Sequence, residues 1–240
     1  MDNSCCDKRY FFRFSLGIFL IAIPVFLLIR GTYGSFLFSF SIPLIWQVAY
    51  LGKPISSLGF KVKSLGFSLL LGVLSGVVLG LLGGKLLELL GVAGFSFTDV
   101  HNIEVDIGLF KIKFSLAKEL GYQLFSRSSG FKGLILYFLF NILLIGLGEE
   151  IFWRGFIQRK IGKRLKKSAA IGITALLFSL THSYIFILLP LSKGIILLGL
   201  IGFVGAAWGY LYERIDNIWC PAISHGLVAA IIWKYYFFAF

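Results

Sequence analysis

The sequence predicts an all-α protein, a polytopic transmembrane bundle of about seven helices, and three observations carry that expectation. Of the 240 residues, 58% are hydrophobic and 14% are charged, against nearly half and a quarter in an ordinary soluble domain. Mean hydropathy is +0.89, and apolar runs long enough to cross a bilayer core recur along the chain. The 28 glycines suit helices packed in lipid, where small residues let backbones approach closely. No shift in composition divides the chain, so residues 1–240 read as a single membrane domain.

Taken in order, the apolar runs place spans at 11–29, 35–51, 65–84, 133–152, 169–189, 194–212 and 218–239. The first contains FSLGIFLIAIPVFLLI after Lys8 and Arg9, as a secretory signal would. It is long, lacks a small-residue cleavage pattern and meets Arg30 directly, so it reads as a retained helix. Pro43 and Pro190 are expected to kink or end their helices. The segment 96–132 is different. IEVDI and FKIKFSL alternate apolar and polar residues, which is strand-like or interfacial. SLAKELGYQLF has the pattern of an amphipathic helix lying on the bilayer.

The net charge is +12. The Lys and Arg residues sit mostly between apolar runs, so topology and anionic membrane lipid account for them and no nucleic-acid partner is expected. RKIGKRLKK, residues 159–167, is short, basic and close to the end of a span. The positive-inside rule places it in the cytoplasm together with the N-terminus, and the expected location is the cell (plasma) membrane. Cys5, Cys6 and Cys220 form no CxxC pattern, so neither a disulfide framework nor a zinc ribbon is expected. Cys5 and Cys6 precede the first span, where acylation is one use and two free thiols are the plainer reading.

The chemistry concentrates in GEEIFWRG, residues 148–155. Glu150 and Arg154 are four apart in the favourable acid-then-base order, so they share a helix face and can pair. Pairing lowers the cost of both charges near lipid. Glu149 points elsewhere, with Trp153 four residues on, and is the carboxylate outside that pair. In a partly dry site it suits general-base work. Two solvated interfacial glutamates are the bland alternative. His101 reads as an ordinary surface residue of the outer loop. His182, in ALLFSLTHSYIFILL, and His225, in CPAISHGLVAAII, both fall in spans. Phe178 precedes His182 by four, so the two rings can share a face. Ionisable residues in a membrane usually face one another or a watery cavity. Glu149, His182 and His225 could therefore surround one water, with one histidine positioning it and the other steadying an oxyanion. The same three could instead hold a divalent metal such as zinc.

EEIFWR fits an EExxxR motif, FSLTH fits FxxxH, and ISHGLVAA falls where HxxxN or HxxxD is expected. In this order, on successive helices, they resemble the CPBP family of intramembrane proteases, which includes the CaaX prenyl proteases and bacterial bacteriocin-processing or immunity proteins. GYLYERIDNIWCPAISH resembles the stretch leading into the third motif, and the motif-bearing half covers roughly 133–232. The resemblance implies a helical bundle with a polar, water-filled cavity open to the cytoplasmic side. By motif position it implies that Glu149 is the catalytic glutamate, that His182 is its partner on the water, that His225 lines the oxyanion site, and that Glu150 and Arg154 support them. No cofactor is favoured, and metal dependence stays open. The substrate implied is a membrane-associated peptide or protein, such as a prenylated protein or a leader peptide.

The chain departs from the pattern at Ala229, four residues after His225, where the family has Asn or Asp. Alanine cannot donate, and one lost oxyanion donor costs about 2.7–4 kcal/mol of transition-state stabilisation. Asn141, eight residues before Glu149, could reach the cavity as a substitute, although an interhelical hydrogen bond is its plainer use. The leading reading is an intramembrane endopeptidase. The second is a catalytically weak or inactive immunity or scaffold protein. A third, a small transporter using the carboxylates and histidines as a relay, calls for a repeated half that the sequence does not show.

Overall fold

The computed structural model describes residues 39–91, 103–106, 111–114, 131–183, 185–232 and 234. The expected span 11–29, Cys5, Cys6, His101 and the amphipathic stretch 115–125 lie outside the described residues. Helix α1 covers 39–50, and its Leu44–Tyr50 part is π-helical. Pro43 does not end this helix; it sits where the register widens from α to π. A single 3₁₀ turn, Ile55–Leu58, leads into α2, Leu65–Leu89. Strands β1, Ile103–Asp106, and β2, Lys111–Phe114, follow. Then come α3, Phe131–Ile161, α4, Lys167–Leu180, the short α5, Ile185–Leu188, α6, Leu191–Ile215, and α7, Trp219–Ile232.

Among the described residues, α2, α3 and α6 are long and apolar enough to cross a membrane. Helices α4 and α7 are apolar but have 14 residues each. At 1.5 Å per residue they are about 21 Å long, short of a bilayer core of about 30 Å. The expectation of seven full spans is therefore not met by the described helices, although a helical membrane bundle is. The expected span 169–189 is broken. Thr181 Oγ1 donates to Phe178 O at 2.6 Å, and His182 Nδ1 lies 3.0 Å from the same carbonyl. These side chains compete with the helix ladder for its last acceptors, and α4 stops at Leu180. Pro190 then separates α5 from α6, as its fixed φ and missing N–H require.

The strands correct the all-α expectation in one place. IEVD and KIKF pair antiparallel, with Ile103 opposite Phe114, Glu104 opposite Lys113 and Val105 opposite Ile112. The period-two alternation that singled out these segments is the pattern of a hairpin.

Two glycine contacts fix the bundle. Along α2, Ser68, Gly72, Gly76, Gly80 and Gly84 recur every four residues and are buried, while the leucines and valines of the other faces are exposed. This stripe lies on α7. A Cβ on Gly72 would stand 2.8 Å from Cys220 O, and one on Gly76 would stand 2.9 Å from Ser224 Cα. Across the other side of α7, a Cβ on Gly226 would stand 2.4 Å from Ile142 Cα. Small residues at both faces let three backbones approach as lipid-embedded helices do. Helix α3 changes character along its length. Leu139, Leu143 and Leu144 are exposed, but every residue from Leu147 to Gln158 is buried, as in a helix surrounded on all sides. Around this segment Phe152, Trp153, Phe156, Phe178, Trp208 and Tyr212 form the main core.

The packing predicts opposite effects for two Gly→Ala changes. Gly226→Ala forces α3 from α7 and should destabilise by about 1–3 kcal/mol, the usual range for overpacking. Gly172→Ala on α4 meets nothing within 4 Å and should be neutral or stabilising by up to about 1 kcal/mol. Thermal unfolding in detergent, followed by tryptophan fluorescence, distinguishes them.

Candidate active site

Glu149 and Glu150 sit in one α-helical turn, Leu147–Glu150, between two π-helical stretches of α3, Asn141–Gly146 and Ile151–Gln158. π-Helical turns inside α-helices frequently mark functional sites. Here they bracket the two carboxylates.

The expected Glu150–Arg154 pair is present. Arg154 Nη1 donates to Glu150 Oε1 at 2.7 Å, and both side chains are fully buried. Desolvating two charges costs several kcal/mol per ion, and a buried pair is tolerated when further bonds offset that cost. Arg154 has them. Nη2 donates to Gly205 O on α6 at 2.6 Å, and the guanidinium lies over the rings of Phe178 and Trp208 at 5.1 and 5.6 Å, within cation–π range. Gln158, one turn on, repeats the contact by donating to Gly209 O at 3.0 Å and to Glu213 Oε1 at 3.2 Å. Arg154 and Gln158 thus grip two carbonyls one turn apart on α6. Glycine at 205 and 209 lets α3 come close enough.

Glu150 does a second thing that the spacing did not show. His225 Nδ1 lies 2.8 Å from the same Oε1. A carboxylate can only accept, so His225 carries a proton on Nδ1. Its Nε2 is then the atom left for other work. The face of the imidazole stacks on the Trp208 indole, with centroids 4.0 Å apart and planes at 19°.

His182 is fixed by the same logic. Its Nδ1 lies 3.0 Å from Phe178 O, and a carbonyl also only accepts, so this contact places the proton on Nδ1. Phe178 sits edge-on between the two histidines, 4.9 Å from the His182 ring and 5.7 Å from the His225 ring. Glu149 is buried, with 1% of its surface exposed. Trp153, one turn on, is edge-on to Phe178 at 5.9 Å.

The structure brings Glu150, Arg154 and His225 together directly, and joins His182 to His225 through Phe178. It differs from the expected trio in one respect: the carboxylate on His225 is Glu150, not Glu149. Among the described residues no group of three His, Cys, Asp or Glu side chains is disposed to hold a metal ion, and His225 Nδ1 is engaged by Glu150. Asn141 is buried on α3. Its amide donates to Tyr137 O of its own helix at 2.8 Å. Ala229 is half-buried on α7. Beyond the end of α3, partial burial and then the charges of Lys53 and Arg159 push the Lys163 ammonium below its ordinary value, a sign of how densely cations crowd that end of the bundle.

Residues 131–231 match the family model Rce1-like, described as type II CAAX prenyl endopeptidase Rce1-like. This stretch is thus similar to that family of endopeptidases. No curated protein and no solved structure matches the chain. The Rce1-like match opens at the first residue of α3 and closes one residue before the end of α7, so it takes in every motif residue and leaves out α1 and α2. The family that this stretch resembles is one of CAAX prenyl endopeptidases, and its helices α3 and α6 are long and apolar enough to cross a membrane.

Trp208, Gly205, Gln158 and Ser224 were not singled out by sequence reasoning. One signal was there: GAAWG, Gly205–Gly209, is a small-xxx-small pair whose interior holds a tryptophan. Losing one member of the ion pair leaves a buried uncompensated charge, so Arg154→Met and Glu150→Gln should each destabilise by about 3–5 kcal/mol. The double variant should cost clearly less than the sum, and a double-mutant cycle on unfolding in detergent reads the coupling.

Proposed function

We propose that this chain is an intramembrane endopeptidase that hydrolyses a peptide bond in a membrane-associated protein or peptide, using a water activated by Glu149. The observation that supports this reading most is the occupation of Glu150. Its Oε1 serves Arg154 and His225 in the framework, and the adjacent buried carboxylate, Glu149, is the one assigned to the water in this reading. The Rce1-like match supports the reaction class.

In this reading the water sits between Glu149 and His182 Nε2. Glu149 takes one proton as the water oxygen attacks the scissile carbonyl carbon. The carbonyl π electrons move to oxygen and give a tetrahedral oxyanion. Collapse restores the carbonyl and breaks the C–N bond, and Glu149 returns the proton to the leaving amine. His225 can donate from Nε2 only when protonated on both nitrogens. In that form, with Nδ1 held 2.8 Å from Glu150 Oε1, it would face the oxyanion. The site would open to the cytoplasm, on the side of the basic segment 159–167, with the N-terminus on the same side. The substrate would be prenylated or a leader peptide.

Ala229 favours a second reading, a catalytically weak member acting as an immunity or scaffold protein. Two substitutions separate the readings in membranes given a labelled substrate peptide. Glu149→Gln should lower cleavage by about 10²–10⁴, the usual worth of a general base; equal cleavage by wild type and variant would contradict the enzymatic reading. Ala229→Asn restores a donor one turn from His225. It should raise kcat at least tenfold, given the ~10²–10³ that one oxyanion donor commonly supplies. If Ala229→Asn leaves cleavage undetectable, the scaffold reading gains.

A further inference from the structure

Two rings and one carboxylate decide how His225 is presented. Glu150 Oε1 holds Nδ1 in the ring plane at 2.8 Å. That single bond leaves the imidazole free to pivot about the Nδ1–Oε1 line. Trp208 removes the pivot. Its indole lies face to face with the imidazole at 4.0 Å and 19°. Trp208 is itself fixed by Nε1, which donates to Ser224 Oγ at 3.0 Å. Ser224 is the residue before His225 on α7, so the indole is tied to the backbone that carries the ring it supports. Trp208 and Ser224 are fully or nearly buried, and Phe178 closes the remaining side edge-on to both rings, 5.7 Å from His225 and 6.0 Å from Trp208. Among the described residues, the charged or titratable groups bearing on this corner include Glu150, Arg154 and Glu149 from α3, His182 from α4 and Cys220 from α7.

We propose that Trp208 is a positioning residue of the reaction, whose indole face, locked by Ser224, holds the His225 imidazole so that Nε2 is aimed at the reacting carbonyl. This rests on the endopeptidase reading, in which His225 faces the oxyanion. It adds a residue outside the three motifs, carried by α6. A misplacement of about 1 Å in such a group can cost about 10²-fold in rate, so the stack is worth more to catalysis than its area alone.

The test uses the full chain in detergent micelles with ¹⁵N-labelled histidine. The chain has three histidines, so His→Gln variants assign each signal. Wild type should show one set of sharp His225 ring signals, with Nδ1 bearing a proton. Trp208→Phe keeps a stacked ring and should retain those signals with kcat within a few fold. Trp208→Leu removes the face, and Ser224→Ala releases the indole. Both should broaden or average the His225 signals and lower kcat about tenfold or more with KM little changed. If Trp208→Leu fails to fold, Ser224→Ala carries the test alone. A wild-type His225 signal and wild-type kcat in Ser224→Ala, or in a folded Trp208→Leu, would overturn the proposal. The histidine signals are read without substrate. A positioning role can therefore be lost while cleavage stands, or survive if the protein proves not to cleave.

Discussion

A guanidinium and a carboxylate lie fully buried in the middle of an apolar bundle, and most of the architecture around them follows from keeping that pair supplied with partners. Arg154 cannot shed its proton, so it needs a countercharge, further acceptors and polarisable faces. Glu150 supplies the charge, Gly205 the carbonyl, and Phe178 and Trp208 the faces. Each lies on a different helix or a different turn. Satisfying one cation therefore fixes α3 against α4 and α6, and Glu150 extends the network to α7 through His225.

Such a network closes only if the backbones approach closely, and the glycines provide the approach. Gly226 brings α7 onto α3 near Ile142, within reach of Glu150 two turns further on. Gly205 and Gly209 bring α6 within reach of Arg154 and Gln158. The stripe from Ser68 to Gly84 backs α7 from the other side. In lipid, burial of apolar area offers little drive between helices, so close contact and interhelical hydrogen bonds must carry the assembly. Function is grafted onto this: the network that neutralises Arg154 also orients His225.

Much of this was legible in the residues. The composition showed a helical membrane protein, and the i,i+4 spacing showed which glutamate pairs with Arg154. The alternation in IEVDI and FKIKFSL read as strand-like or interfacial, and the structure pairs IEVD with KIKF as antiparallel strands. What escaped was long-range. Nothing local says that His225 meets Glu150 rather than Glu149, because those residues are 75 apart in sequence and adjacent only through the Gly226 contact. The break after Leu180 escaped because apolar periodicity continues through Thr181 and His182, whereas their side chains take the Phe178 carbonyl. Asn141 looked like a spare donor because sequence cannot show that its amide is spent one turn back on Tyr137.

The central claim is that two adjacent carboxylates hold different offices: Glu150 belongs to the framework and Glu149 to the water. The most direct measurement compares the Tm of Glu149→Gln and Glu150→Gln in the same detergent, each beside wild type. The account predicts a Tm near wild type for Glu149→Gln and a clear fall for Glu150→Gln, which strands Arg154. Equal falls, or a larger fall for Glu149→Gln, would contradict it.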